Sequence, residues 1–332
     1  MINRVISILI NILILIALLV IPSIVLTKKR VVIVKNTSIS ISTNSIKPFS
    51  KKLFSNTISI PSDSKEKINA IFLGIPGEKN NAPDLTDTLM IMSMDSETGN
   101  GFLLSIPRDL LVKIPQTDFY TKINDLYQRS GMQSVESILT KITGLEFDYY
   151  AIINLKGVEK IIDQLGGIDI NIEKEIYNPA FPGSNNSYQL FTLEKGQHHL
   201  DGETALKYIR TRYDPTGDFA RMRRQQKVLI AIKKEISSLS PIWNSKILLE
   251  ILNTASGHFH TNLSIKNIKD FWKTSKNIDL EKIKFKVLDP STKLVTPGYA
   301  ILGNQEAYVL KPTAGIDNYE EIQNYIKKLI SN

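Results

Sequence analysis

Arginine is scarce in this chain and unevenly placed. Of 41 Lys and Arg residues only nine are Arg, and five of those nine fall between Arg210 and Arg224. A guanidinium is a planar fork that takes phosphate oxygens two at a time, whereas a lysine ammonium is a point charge. Arg210 and Arg212 alternate as one helical stretch ends. Gly217-Asp218-Phe219-Ala220-Arg221 then opens a long helix, on which Arg221, Arg224 and Gln225 are spaced i, i+3, i+4 and share a face. A helix start already offers free N–H groups and positive potential to an anion. The chemistry indicated is the clamping of a phosphate or diphosphate. Read alone, the run is equally a solvated basic helix face.

Three shorter groups accompany it. In Leu85-Thr86-Asp87-Thr88 a carboxylate stands between hydroxyls at a strand edge, where it can ligate Mg²⁺ or serve as a turn Asp bonded to its own backbone. In Ser105-Ile106-Pro107-Arg108-Asp109 the proline ends a strand and Arg108 projects from its end, where sheet proteins bind ligands. The plainer reading there is an exposed Arg–Asp pair. Thr121-Lys122-Ile123-Asn124 is a helix-start signal carrying a lysine, or simply a cap.

Other chemistries are missing from the pattern. There is no phosphate-binding G-x-x-x-x-G-K loop, no dinucleotide turn, no G-x-S-x-G elbow and no H-E-x-x-H helix. With no cysteine, disulfides and thiolate chemistry are excluded. The alternating His258 and His260 share a strand face but have no acidic partners nearby in sequence; they and the adjacent His198 and His199 read as ordinary surface or core histidines. A net charge of +8 suits nucleic acid, an anionic membrane or a phosphorylated substrate, and does not choose among them.

The elements that must carry these residues alternate. Strands are expected at 68–73, 88–94, 101–106, 149–154, 283–288 and 307–310. Helices are expected at 122–130, 134–143, 158–165, 201–208, 218–239, 243–254, 264–276 and from Asn318. Residues 176–200, with their Pro and Gly, read as one long polar loop, and Asp218 as an N-cap. Alternation of this kind argues an α/β sandwich around a central sheet. Before it, Val5–Leu26 is an almost unbroken apolar run of 22 residues. As a helix it would be roughly 33 Å long, the thickness of a bilayer core. Its length and poor cleavage site favour an uncleaved anchor over a signal peptide. Flanking charge (Arg4 before; Lys28, Lys29, Arg30 and Lys35 after), read strictly, would leave the remainder of the chain in the cytoplasm. Residues 27–65, rich in Ser, Thr, Asn and Lys, read as a stalk.

In order along the chain, IFLG, LTDTLMI, SIPRD, TKIN, LTKITGLEFDYYAIINLKGVEKIIDQLGG, LDGETALKYIRTR and GDFARMRRQQ resemble the LytR-CpsA-Psr family from about residue 66 to the C-terminus. The resemblance implies a three-layer α/β/α sandwich around a central mixed sheet, preceded by one N-terminal transmembrane helix. The expected domains are a tail 1–4, an anchor 5–26, a stalk 27–65 and a catalytic domain 66–332. It implies a single-pass membrane enzyme with its catalytic domain extracellular. That enzyme would move a glycan phosphate from a polyprenyl pyrophosphate carrier to a cell-wall acceptor such as peptidoglycan, and release polyprenyl phosphate. By motif, Asp87, Arg108 and Arg221 are the expected catalytic residues, and Asp87 the ligand for Mg²⁺, with Mn²⁺ as the substitute. Arg108, Lys122, Arg210, Arg212, Arg221, Arg224 and Gln225 are expected at the pyrophosphate. Fixed guanidiniums suit phosphoryl transfer, which depends mainly on positioning and on neutralising charge.

Three departures accompany the resemblance. The family pattern G-x-D-x-R is Gly74-Ile75-Pro76-Gly77-Glu78 here, its Arg before the T-D-T is Leu85, and its GDFGR is GDFAR with Ala220. The lost Asp normally contributes to metal binding, and Glu78 or Asp84 is the candidate replacement ligand. The competing functions are a polyprenyl pyrophosphate hydrolase with water as acceptor, a non-catalytic lipid or wall binder, and a nucleic-acid-binding membrane regulator. Nucleic acid is not the expected partner, because no helix-turn-helix or aromatic stacking set accompanies the arginines.

Overall fold

Strand β1 (Lys67–Ile75) is apolar on both faces. Ile71, Leu73 and Ile75 join one core and Ile68 and Ala70 another, as expected of a strand covered on both sides. The computed structural model describes residues 67–78, 80, 82–95, 97–183, 187–238, 257–262 and 282–331. The anchor 5–26, the stalk 27–65 and the helices expected at 243–254 and 264–276 lie outside the described residues. Among the described residues no helix is long and apolar enough to cross a membrane.

β1 sits centrally in a six-stranded sheet. It pairs antiparallel with β2 (Thr88–Asp95) and parallel with β6 (Tyr149–Asn154), while β3 (Gly101–Ser105) follows β2. β11 (Phe259–Thr261) closes one edge antiparallel to β6, and β12 (Ile283–Val287) closes the other parallel to β3. The sheet is therefore mixed. α1 (Leu126–Thr143) and α5 (Glu320–Ser331) cover one face through Val135, Ile138, Ile142, Ile322 and Ile326. On the other side α2 (Leu155–Gln164), α3 (Gly202–Arg210) and α4 (Asp218–Ser238) share a core of Ile161, Ile162, Ala205, Val228 and Ile232. α1 bends at Gly131 (φ 71°, ψ −176°), which is why its pattern reads as two helices in the sequence.

The stretch 176–200 corrects the sequence reading. It is not a loop but β8 (Ile176–Pro182) and β9 (Tyr188–Leu193) paired as a ribbon, followed by β10 (Gly196–Leu200) on β7 (Ile168–Ile172). Pro179 has no N–H for a ladder, and the register shifts between Asn178 and Phe181 absorb it as a bulge. Further strands went unread: β4 (Leu111–Lys113) and β5 (Tyr120–Lys122), which pair, and β13 (Val295–Leu302), which pairs with β14 (Gln305–Pro312).

Candidate active site

β1, β3, β6 and β12 all end on the same side of the sheet, and the residues singled out by type meet there. Backbone bonds fix the two loops that matter. The Asp87 N–H donates to the Gly74 carbonyl at 2.9 Å, which hangs Asp87 beside the end of β1. The Thr86 N–H and the buried Thr86 hydroxyl both donate to the Asn124 carbonyl at 2.9 Å, and the Asn124 N–H donates to the Arg108 carbonyl at 3.2 Å. The Thr121–Asn124 motif is thus a pin between the Asp87 and Arg108 loops, and Lys122 makes no side-chain cap.

At the centre, two carboxylates face the same three guanidiniums. Asp87 Oδ1 lies 2.6 Å from Arg108 Nη1, 3.6 Å from Arg212 Nη2 and 3.8 Å from Arg221 Nη1. Asp218 Oδ1 lies 3.5 Å from Arg108 Nε, 3.4 Å from Arg212 Nε and 3.0 Å from Arg221 Nη2. Instead of capping α4, the Asp218 side chain serves this array. Its part was missed in the sequence because an Asp at a helix start is ordinarily a cap; the signal was its i, i+3 spacing to Arg221. Arg221 is only 2% exposed and also donates to the Asp87 carbonyl at 3.0 Å. Burial pushes its guanidinium down to about 10, against the support of Asp218, so it is still a cation at neutral pH. The Nε atoms of Arg108 and Arg221 are buried with no hydrogen-bond partner, an arrangement that an incoming anion would complete.

Asp87, Arg210, Arg212, Arg221 and Gln225 line one cavity of about 550 Å³. Arg108 does not line it and reaches it through Asp87, which it bonds at 2.6 Å. Arg210 reaches the cavity over the Phe181 ring of the β8–β9 ribbon, 5.8 Å from its centroid. Asn178 and Tyr213 also line it, and neither was singled out in the sequence. Lys122 and Arg224 lie elsewhere. Lys122 Nζ bonds Asp109 at 2.7 Å, one step removed from the cavity. Arg224 is 7% exposed and turned inward: it donates to the Thr211 carbonyl, faces the Tyr208 ring and pairs with Asp214 at 3.8 Å. It holds the Arg210–Arg212 segment in place. The cluster is thus folded into a cavity rather than displayed as a basic face.

A second cavity, of about 140 Å³ and almost wholly apolar, adjoins the first. Gly74, Thr88, Leu155, Ile209 and Gln225 line both. Its walls are Met90, Val158, Ile161, Val228, Leu229 and Ile232. A Cβ on Gly74 would stand 2.8 Å from the Thr88 Cβ, so the junction accepts only glycine without a shift.

The metal-ligand candidates do not assemble. Among the described residues Asp87 is the one carboxylate lining the charged cavity. Glu78 and Asp84 are exposed, and neither lines it. Among the described residues no three His, Asp or Glu are grouped so as to hold a metal. His258 meets Asn154 at 3.1 Å and Lys160 at 3.2 Å, and His199 meets Asp169 at 2.7 Å.

Fold and site together define a class: an α/β domain with a guanidinium array at the strand ends, beside an apolar recess. The chain belongs to the LytR_cpsA_psr family, whose model matches residues 31–313. It is 34% identical over 221 residues to the regulatory protein MsrR of Staphylococcus aureus, a match covering 63% of this chain and 64% of that one. It is 29% identical over 213 residues to the polyisoprenyl-teichoic acid–peptidoglycan teichoic acid transferase TagU of Bacillus cereus, covering 64% of this chain and 66% of that protein. Among solved structures, B. subtilis TagV superposes with a TM-score of 0.61 at 25% identity, over 80% of this chain and 98% of that one.

Proposed function

We propose that this chain is a membrane-anchored, extracellular phosphotransferase. It takes a glycan phosphate from a polyprenyl pyrophosphate carrier, passes it to a cell-wall hydroxyl such as one of peptidoglycan, and releases polyprenyl phosphate. One observation carries the reading: a guanidinium-lined cavity of about 550 Å³ lies against an apolar one of about 140 Å³ and shares five lining residues with it. A diphosphate joined to a hydrocarbon chain has that same division of chemistry. The name of the TagU relative, a polyisoprenyl-linked teichoic acid transferase, supports the same donor and acceptor classes.

In this reading Arg210, Arg212 and Arg221 hold the non-bridging oxygens, Arg108 adds its charge through Asp87, and Gln225 sits where diphosphate gives way to lipid. The acceptor oxygen attacks the glycan-side phosphorus. The bond from that phosphorus to the bridging oxygen breaks, and polyprenyl phosphate leaves with the electron pair. The hydroxyl proton passes to Asp87. Four preorganised guanidiniums facing developing charge are the main source of rate.

The test uses the full chain in detergent with a synthetic polyprenyl pyrophosphate-linked sugar and peptidoglycan fragments. Polyprenyl phosphate should appear together with a sugar phosphate–peptidoglycan adduct. Arg108→Ala should lower turnover about 10²–10³-fold with unchanged circular dichroism. Unaltered turnover in that variant would remove the site assignment; lipid phosphate release without adduct would make the protein a hydrolase.

A further inference from the structure

The cavity's charges balance a diphosphate without help. Arg108, Arg210, Arg212 and Arg221 stand against two carboxylates, Asp87 and Asp218, while Asp109 is taken by Lys122. The two positive charges left over match the two negative charges of a diphosphate diester. A dication would leave the filled site positive. It would also have to share the Asp87 carboxylate, whose Oδ1 already has three guanidinium nitrogens within 4 Å. Mg²⁺ needs six oxygens in near-octahedral array and is usually held by one or two carboxylates besides water and phosphate. Here the single carboxylate is already engaged by three cations.

Why a second carboxylate is lacking can be traced to one position. The Gly74 carbonyl holds the Asp87 N–H, so the residues just after Gly74 run beside Asp87. Pro76 is the one among them that lines the cavity, and it has no donor atom in its side chain. Glu78, two residues on, is exposed and does not line the cavity.

We infer that this chain holds and neutralises its donor's diphosphate with guanidinium groups alone, without a resident divalent cation, and that Pro76 decides this by leaving Asp87 unaccompanied. The inference rests on the diphosphate reading above. A consequence is that donor binding is insensitive to chelators.

Two measurements on the full chain in detergent test it. Mn²⁺ titrated into the ligand-free protein and followed by electron paramagnetic resonance should show no saturable site, whereas Pro76→Asp should gain one that Asp87→Asn then removes. Binding of a geranyl diphosphate sugar diester, which carries the two negative charges counted above, should be equal by calorimetry in EDTA and in Mg²⁺ to within about threefold, under ~0.7 kcal/mol. A stoichiometric Mn²⁺ site in the unsubstituted chain, or an affinity at least about tenfold weaker in EDTA, overturns the inference. A folded Pro76→Asp that binds no Mn²⁺ overturns the role of Pro76, and Pro76→Glu replaces it should it not fold. If that diester binds under neither condition, the donor reading fails, and the Mn²⁺ titration still decides whether a resident cation exists.

Discussion

Replacing Asp218 with Asn removes one charge from the centre of the array while keeping its shape and one acceptor oxygen. Asp218 Oδ1 meets three guanidiniums at 3.0, 3.4 and 3.5 Å. At an effective dielectric near 20 each contact is worth about 5 kcal/mol before desolvation is subtracted. Removing one partner of a buried pair costs ~3–5 kcal/mol. Asp218 is 21% exposed and the amide retains some hydrogen bonding, so the loss should be smaller; we take about 2 kcal/mol. For a chain of 332 residues that lowers Tm by about 3 °C. An anionic ligand supplies what the mutation takes away. Geranyl diphosphate should therefore raise the Tm of Asp218→Asn by more than it raises that of the unsubstituted chain at equal free concentration. The assay is thermal unfolding of the full chain by circular dichroism, with and without ligand, at low salt. An unchanged Tm in the free variant, or equal ligand-induced increments in the two proteins, would refute the view that Asp218 is a charge balance for these arginines.

Two other outcomes rest on the same geometry. Leu229→Trp pushes an indole toward the apolar recess of about 140 Å³. It should weaken geranylgeranyl diphosphate binding about tenfold or more, at ~0.8 kcal/mol per methylene displaced, and leave inorganic pyrophosphate binding as it was; calorimetry with both ligands separates the two. Arg221 titrates from about 10 in the free chain. Its charged form binds the anion, so diphosphate affinity should hold from pH 7 to 9 and decline as pH rises through 10. The group's effect on folding has the opposite sign: the cost of burying its charge is present below that value and is relieved above it. An affinity flat to pH 11, with the fold intact by circular dichroism, would show that Arg221 keeps its charge through that range.

Much of this was legible in residue types. The central strands are continuous apolar runs, and such a run can only be satisfied between two covering layers; Ile68–Leu73 and Thr88–Met94 therefore stand as β1 and β2 with small changes at their ends. The ribbon of β8 and β9 was not legible, because Pro179, Pro182 and Gly183 are loop signals and pairing with a partner strand is a non-local event. It matters to function, since it carries Phe181 under Arg210 and Asn178 into the cavity wall.

The same division runs through the site. By itself the sequence determined which groups are present: an Arg cluster in a Lys-rich chain, a carboxylate between two hydroxyls, an Arg at a strand end, no thiol, and Pro76 where its relatives' pattern has an acid. Types and spacing determine local geometry, and i, i+3 and i+4 neighbours share a helix face whatever the rest of the chain does. Direction across elements is another matter. Arg221 and Arg224, three residues apart on one helix, diverge because α4 is packed from two sides: one side chain enters the array with Asp87, and the other turns to the Thr211 carbonyl and Tyr208. Asp218 faces three arginines from three segments, a convergence set by the crossing of α4 with the strand ends. Whether Glu78 or Asp84 could stand beside Asp87 also depended on the path of one loop in space, and on that path both are exposed and neither lines the cavity. Charges interact through distance, and the distances between segments far apart in the chain are set only when the cores on both faces of the sheet have closed.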